Sequence, residues 1–152
     1  IEGDAHGRSV GPHQSNWLFD AAARIVFLDI GIGQIALMAS IAGYAGMPRN
    51  AAYSASKAAV IVMGESMRGA LARVGVTLQV INPGFVATPL TDRYTGSMPF
   101  LMSAEEAARR ICDGFERKGF EIAFPRRLAW IAKALRMMPY WLYFRVMRAA
   151  GG

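Results

Sequence analysis

Three polar side chains have the types and the spacing that alcohol and ketone chemistry needs. Tyr53 and Lys57 lie four residues apart in an alanine-rich segment, and Ser40 precedes the tyrosine by 13 residues. Residues four apart on a helix share one face, so the lysine ammonium can act on the phenol. A phenol of ordinary pKa, about 10, is a poor proton donor or acceptor at neutral pH. A nearby ammonium favours its phenolate form and makes it a usable acid or base, while a serine hydroxyl could hold the substrate oxygen.

The Tyr-x-x-x-Lys pair alone is a weak signal, because many helices carry an exposed ring packed along a lysine stem. Three longer segments make the signal specific: residues 40–48 (SIAGYAGMP), 51–59 (AAYSASKAA) and 80–89 (VINPGFVATP). Together they resemble the short-chain dehydrogenase/reductase family, and the resemblance extends over residues 34–124. It implies a Rossmann-like fold and an enzyme, an oxidoreductase that interconverts an alcohol and a ketone or aldehyde with NADP or NAD as cofactor.

The resemblance also implies a role for each of the three side chains. Tyr53 would be the catalytic acid or base that exchanges a proton with the substrate oxygen. Lys57 would favour the phenolate of Tyr53 and hydrogen-bond the ribose of the nicotinamide cofactor, so that both residues belong to the cofactor site. Ser40 would orient the substrate carbonyl, and the cofactor would supply the hydride.

Four residues of the third segment match family positions near the nicotinamide: Pro83, Gly84, Val86 and Thr88. A glycine permits close approach of the backbone to a ligand, and a threonine hydroxyl can bond the carboxamide or a phosphate. Residues 90–100 fall where the family has its variable substrate lid. We therefore expect that segment to shape specificity.

Alternating strands and helices are predicted to bring these residues to one edge of a sheet. The predicted strands are residues 34–39, 76–81 and 120–124, and the predicted helices are residues 51–74, stopped by Gly75, and 104–117, opened by the capping-box pattern Ser103-Ala104-Glu105-Glu106. Such alternation predicts a parallel, doubly wound α/β sheet with right-handed crossovers. Ser40 would follow the first strand, at the carboxyl edge where these sheets bind ligands.

Residues 1–33 lack the features with which the family begins. No Thr-Gly-x-x-x-Gly-x-Gly turn and no Asn-Asn-Ala-Gly segment is present, and Gly31-Ile32-Gly33 lacks the flanking elements and acidic residue of a dinucleotide loop. We therefore predict an unmatched leader over residues 1–33, the catalytic half of a family member over 34–124, and a helical tail over 125–152. The sheet would be partial, with one edge strand left unpaired.

The net charge of +6 belongs to the tail. Residues 1–124 carry 11 basic and 11 acidic side chains, whereas residues 125–152 carry six basic ones and no acid. The neutral body argues against nucleic acid as a partner. Pro139 divides the basic, aromatic tail into two helical pieces. Such a stripe of aromatic residues most often indicates core packing or a subunit contact. Docking of residues 126–149 on a membrane surface is the alternative.

Other features bear on compartment and metals. No secretory signal opens the chain, and the uncharged run 30–48 holds too many glycines and polar residues for a transmembrane helix. The single cysteine, Cys112, excludes an internal disulfide and fits a cytoplasmic, reducing compartment; we predict it to be buried on its helix. His6 and His13 have no partners at metal-binding spacing, so no metal site is predicted.

Two interpretations of the whole chain stay open. The first is an active enzyme that assembles as a homo-oligomer through the alanine-rich helix after Tyr53. The second is a catalytically silent fragment that folds poorly or serves only as an association module, because the adenine and pyrophosphate site has no counterpart in the sequence. The substrate, and the choice between NAD and NADP, are not specified by the residues present.

Overall fold

The computed structural model describes residues 33–89, 91 and 96–149, together with the backbone of residues 25–28. Strands and helices alternate along this part of the chain, and the predicted order from residue 34 to residue 124 is confirmed. The predicted leader lies outside the described residues, apart from 25–28 and 33. The elements are β1 (Ile25–Leu28), β2 (Gln34–Met38), a short 3-10 helix (Ile41–Gly43), α1 (Ala51–Arg73), β3 (Thr77–Pro83), α2 (Ala104–Glu116), β4 (Glu121–Phe124), α3 (Arg126–Met137) and α4 (Tyr140–Ala149).

The strands form one sheet in the order β1-β2-β3-β4. β2, β3 and β4 run parallel, with Val80 opposite Glu121, as the doubly wound α/β prediction requires. The sequence analysis does not predict β1, which pairs antiparallel with β2 and places Ile25 opposite Leu37. β1 therefore lies along an edge that we expected to be unpaired. Its sequence, Ile-Val-Phe-Leu, contains the β-branched and aromatic residues that favour strands.

Side chains from the two faces of the sheet form two apolar clusters, because successive residues of a strand point to opposite faces. On one face, Leu37 and Val80 pack with Val60 of α1. On the other face, Ile81 packs with Ala107 of α2. Helices therefore cover both faces, which is the layer arrangement of a doubly wound sheet.

The predicted signals at two helix ends are confirmed. The Ser103 Oγ accepts a hydrogen bond from the Glu106 N–H at 3.2 Å and so satisfies one of the unpaired N–H groups of the first turn of α2. α1 ends at Arg73, and Gly75 has a φ of 77°, in the left-handed region that glycine adopts without steric cost. The chain therefore turns towards β3 at the predicted place.

The tail consists of two helices separated at Pro139, as predicted. Ala129 and Ala132 of α3 pack against Ile41 of the 3-10 helix, so the tail contacts the segment that follows Ser40. Among the helices that the structure describes, none combines the length and the apolar character needed to cross a membrane.

The prediction for Cys112 is wrong, because its side chain is exposed. The apolar side of α2 passes through Ala107, Ile111 and Phe115. Cys112 follows Ile111 by one residue and is therefore turned roughly 100° away from that side. Exposure of this thiol is a consequence of the helix period.

Candidate active site

Ser40 lies where the parallel strands β2 and β3 end. The sheet pairing continues one residue past β2, because the Ala39 N–H donates to the Ile81 carbonyl oxygen at 2.8 Å. The Ser40 Oγ then accepts from the Ala42 N–H at 3.2 Å and donates to the Pro83 carbonyl oxygen at 3.3 Å. This buried hydroxyl is thereby fixed between the carboxyl ends of two strands, where open α/β sheets bind ligands.

Lys57 reaches from α1 to the same edge of the sheet. Its Nζ donates to the carbonyl oxygen of Met38, the last residue of β2, at 3.2 Å. Only 8% of Lys57 is exposed. This burial lowers the pKa of the ammonium below its usual value of 10.5, because the charged form loses solvation. A buried cation therefore lies beside the strand end that carries Ser40.

Tyr53 lies one helical turn before Lys57 and is more exposed. The Lys57 Nζ is 5.7 Å from the centroid of the Tyr53 ring, a distance at which an ammonium is attracted to an aromatic face. Tyr53 is 37% exposed. The pair therefore shares one face of α1, with the lysine inside the protein and the phenol at the surface, within reach of a small molecule.

A close approach between the 3-10 helix and α1 holds Ser40 and Lys57 in one site. A Cβ atom added to Gly43 would lie 2.7 Å from the Lys57 carbonyl carbon, so only a glycine lets the two backbones pack this closely. The following loop is joined to α1 as well, because the Met47 N–H donates to the Ser54 Oγ at 3.3 Å. The turn after Ser40 therefore lies directly on the part of α1 that carries Lys57.

Two of the residues predicted to lie near a nicotinamide, Gly84 and Val86, follow β3 directly. The Gly84 N–H donates to the Phe124 carbonyl oxygen at 2.7 Å, and a Cβ atom at this glycine would lie 3.0 Å from the Pro125 ring. Packing against the residues that follow β4 therefore leaves little room for a side chain at this position. Val86 forms an isolated parallel bridge with Met102, which brings together the two ends of the excursion between β3 and α2.

Thr88 lies in a turn that the Thr91 hydroxyl closes. That hydroxyl accepts from the Thr88 N–H and donates to the Val86 carbonyl oxygen, both at 2.9 Å. Pro83 ends β3, and its carbonyl oxygen is the acceptor for Ser40. The four residues predicted to lie near the nicotinamide thus begin at the edge of the sheet that carries Ser40. Of the predicted lid over residues 90–100, residue 90 and residues 92–95 lie outside the described part of the chain.

The sequence analysis misses a second polar cluster next to the turn after Ser40. The Tyr44 hydroxyl donates to Glu121 Oε1 at 2.5 Å, and Lys133 of α3 forms an ion pair with the same carboxylate. Burial, followed by the hydrogen bond to Glu121, raises the pKa of Tyr44 above its ordinary value. One signal could have indicated this cluster: Glu121 is the charged residue of the otherwise apolar strand β4, and charged residues in such strands are usually paired.

No group of three or more His, Cys, Asp or Glu side chains within residues 33–89, 91 and 96–149 is placed to hold a metal ion. His6 and His13 lie outside these ranges. That the protein has no metal site therefore stays a prediction.

A family model agrees with the motifs that carry these site residues. The model of the short chain dehydrogenases matches residues 17–98, a range that includes Ser40, Tyr53, Lys57 and the residues after β3. The chain belongs to the short-chain dehydrogenase family. The resemblance drawn from the three sequence segments is thereby confirmed. The match begins inside the predicted leader, whose boundary at residue 33 stays a prediction.

Two curated relatives show what fraction of a longer protein's length this chain covers. An uncharacterized oxidoreductase of Myxococcus xanthus is 37% identical over 107 residues, which are 70% of this chain and 42% of that protein. A dehydrogenase/reductase SDR family protein 7-like of Drosophila melanogaster is 32% identical over 128 residues, which are 77% of this chain and 39% of that protein. The chain therefore spans about two fifths of the length of these two relatives.

A solved short-chain dehydrogenase shares the fold. The enzyme from Burkholderia cenocepacia J2315, in complex with NADP, superimposes with a TM-score of 0.64 and 28% sequence identity. The likeness covers 76% of this chain and 47% of that one. The partial Rossmann-like α/β fold predicted from the sequence is therefore confirmed.

Proposed function

We propose that this chain carries the catalytic residues of an oxidoreductase that interconverts an alcohol with a ketone or aldehyde, with NADP or NAD as cofactor. The observation that carries the proposal is the convergence of Ser40 and Lys57, from two different elements, on the end of β2. Tyr53 adds an exposed phenol on the same helix face as Lys57. Membership of the short-chain dehydrogenase family supports this reading.

In the direction of reduction, the carbonyl carbon of the substrate gains a hydride and the carbonyl oxygen gains a proton. The Tyr53 hydroxyl gives that proton, and its phenolate takes one back when an alcohol is oxidised. The Lys57 ammonium stabilises the phenolate that each reduction leaves behind. Ser40 exchanges its hydrogen bond to the Pro83 carbonyl for one to the substrate oxygen, and thereby orients the carbonyl towards the phenol.

The described residues fit one end of a nicotinamide nucleotide. Such a cofactor supplies the hydride when it is bound. Lys57 and Tyr53 would hold its ribose, since a buried ammonium carries three N–H donors, and residues 83–88 would lie along its nicotinamide end. The Burkholderia short-chain dehydrogenase is in complex with NADP, which favours NADPH as the first nucleotide to test.

We expect the purified chain to bind NADPH saturably and to melt at a higher temperature when it does, because a ligand that binds only the folded state stabilises that state. Lys57→Met should weaken this binding, since it keeps most of the length of the side chain but removes the ammonium. Lys118→Met, at an exposed lysine before β4, should bind as the unmodified chain does. The measurement combines nucleotide fluorescence with thermal melting, with NADH titrated in parallel. No saturable binding, with a broad melting transition, would contradict the proposal and favour the silent association module.

Homo-oligomerisation through α1 is part of the same proposal. This helix leaves Val62, Met63 and Met67 exposed. Met63 and Met67 lie four residues apart on one helix face, which a second copy of the chain could cover. Light scattering should therefore report a dimer or a larger assembly, and Met63→Glu should reduce its mass by placing a charge in the contact. A monomeric unmodified chain would contradict this part of the proposal.

Contact of the tail with a membrane surface is a second proposed property, which its exposed side chains favour. Trp130, Met137 and Trp141 are 71%, 86% and 71% exposed. Residues 125–152 hold six basic side chains and no acidic one. Tryptophan and basic residues on one surface are typical of helices that lie at a lipid interface, and each basic residue near an anionic surface contributes about 1 kcal/mol.

Vesicle binding tests the tail directly. We expect the chain to bind vesicles that contain phosphatidylserine more strongly than vesicles of phosphatidylcholine alone, with a blue shift of tryptophan fluorescence. Trp141→Glu should weaken this binding, because it removes an interfacial ring and adds a negative charge. Val74→Glu makes a comparable change at a residue that is 72% exposed at the end of α1, and should bind normally. If both variants bind vesicles equally well, the proposal that the tail contacts the membrane is wrong.

A further inference from the structure

One carboxylate connects the turn after Ser40 with β3 and the tail. Glu121 Oε1 accepts from the Tyr44 hydroxyl at 2.5 Å and from Asn82 Nδ2 at 3.4 Å, and Oε2 accepts from the Lys133 ammonium. The Lys133 Nζ also lies 5.2 Å from the centroid of the Tyr44 ring. Four side chains from distant parts of the sequence are thereby joined in one network.

The network joins a buried amide to a partly exposed ion pair, in which the side chains of Lys133 and Glu121 are 38% and 29% exposed. Asn82 is only 1% exposed, and its Oδ1 has no hydrogen-bond partner among the residues that the structure describes. The polar contacts of its side chain are therefore those of its amide nitrogen. Hydrogen bonds from a phenol and an ammonium to a carboxylate are charge-assisted and stronger than neutral ones. The Tyr44 hydroxyl is therefore held by Glu121 of β4, whose carboxylate is in turn held by Lys133 of α3.

Tyr44 closes the 3-10 helix that Ser40 opens. The Ser40 Oγ caps the first turn by accepting from the Ala42 N–H, and the Tyr44 N–H donates to the Ile41 carbonyl oxygen at 3.1 Å. Because only three residues separate Ser40 from Tyr44, the position of the tyrosine constrains the orientation of the turn. One end of the turn is bonded to β3 and the other end to β4.

The tail holds the same segment at a second point. The buried Tyr143 of α4 donates its hydroxyl hydrogen bond to the Gly46 carbonyl oxygen. Lys133 and the alanines of α3 contact the segment at Tyr44 and Ile41. Both tail helices therefore contact the short segment between Ser40 and Gly46.

We infer that Tyr44, Glu121 and Lys133 form a clamp through which the tail positions Ser40. Tyr44 and Glu121 are positioning residues, since their hydrogen bonds restrain the turn while Ser40 contacts the substrate. Without the clamp, the turn keeps its packing on α1 and its contact through Gly46 but loses its hydrogen bond to β4, and the serine hydroxyl occupies a wider range of positions. The effect on turnover rests on the proposed function, whereas the clamp itself does not.

Hydrogen exchange of backbone amides tests the clamp without an activity assay. We expect Tyr44→Phe to speed exchange at residues 42–47 by roughly tenfold, the factor that loss of a hydrogen bond to a charged group gives, while β3 and α2 stay unchanged. Glu121→Gln keeps an acceptor for the phenol and should give a smaller increase. Tyr140→Phe, which removes an exposed hydroxyl from α4, is the matched control. Unchanged exchange in Tyr44→Phe, or an equal increase throughout the chain, would overturn the inference.

Turnover then tests whether the clamp acts on Ser40. With NADPH and whichever of acetone, cyclohexanone or acetophenone the unmodified chain reduces fastest, Tyr44→Phe should lower kcat about tenfold, in step with the exchange, and leave the KM for NADPH unchanged. Glu121→Gln, which keeps an acceptor for the phenol, should retain most of kcat. Faster exchange with an unchanged kcat would overturn the positioning role. If the unmodified chain turns over no ketone, it is the proposed function that fails, and the exchange rates alone decide whether the clamp exists.

Discussion

A Tyr53→Phe variant is expected to reduce a ketone at least about 10²-fold more slowly than the unmodified chain, the lower end of what positioned acid–base catalysis contributes. The change removes the hydroxyl that we propose as the proton donor to the carbonyl oxygen. It keeps the ring, whose centroid lies 5.7 Å from the Lys57 ammonium. Since Tyr53 is 37% exposed, the melting temperature should change little. The measurement is kcat with NADPH and a ketone, with a melting curve on the same sample.

Two controls separate loss of chemistry from loss of structure. Tyr140→Phe makes the same change at a tyrosine of α4 that is 72% exposed, and turnover should be retained. Tyr53→Phe should still bind NADPH, because Lys57 and the residues after β3 are intact. Turnover by Tyr53→Phe that equals the rate of the unmodified chain would exclude Tyr53 as the proton donor.

Gly43→Ala is expected to lower the free energy of unfolding by about 1–3 kcal/mol, the usual cost of forcing an extra group into a packed site. The new methyl carbon would lie 2.7 Å from the Lys57 carbonyl carbon and 2.9 Å from the end of the Ile61 side chain. Backbone atoms within a helix cannot move aside singly, so the 3-10 helix must move away from α1 and take Ser40 with it. Urea unfolding gives the loss of stability, and kcat should fall beyond what the unfolded fraction explains.

Gly69 provides the matched control for this substitution. Gly69 lies within α1, whereas Gly43 packs against this helix. A Cβ atom at Gly69 would meet no other described residue within 4 Å. Gly69→Ala should raise the free energy of unfolding by about 0.5–1 kcal/mol, because alanine loses less backbone entropy than glycine in a helix. The two Gly→Ala substitutions should therefore have opposite signs. A Gly43→Ala variant as stable and as active as the unmodified chain would contradict the close packing of the turn on α1.

The order of strands and helices could be predicted because each element has its own local signal. β2 is an apolar run between Gly33 and Ser40, and α2 is opened by Ser103. The pairing of β1 could not be predicted in the same way. A four-residue apolar run does not specify its partner, and β1 pairs with β2 according to which edge of the sheet is accessible.

The catalytic candidates were predictable because helix periodicity and motif spacing are local properties. The contact between Tyr44 and Glu121 was not, since these residues are 77 positions apart and meet only because β4 lies beside β3. Gly84 shows a related difference. The family resemblance explains this glycine by its approach to a cofactor, whereas the structure shows that its packing against Pro125 also favours a small residue.

The burial of Lys57 suits the catalytic role that we propose for it but lowers the stability of the folded state. Burial lowers the pKa of this ammonium, so below that pKa the folded state carries a charge that the unfolded chain solvates better. This cost fades as the pH rises from the lowered pKa towards 10.5, because the folded state then holds a neutral amine. A methionine side chain at position 57 would fill most of the same space and carry no charge. Directed evolution of this chain for heat resistance alone would therefore tend to replace Lys57, and a library meant to retain the proposed activity should keep this lysine fixed.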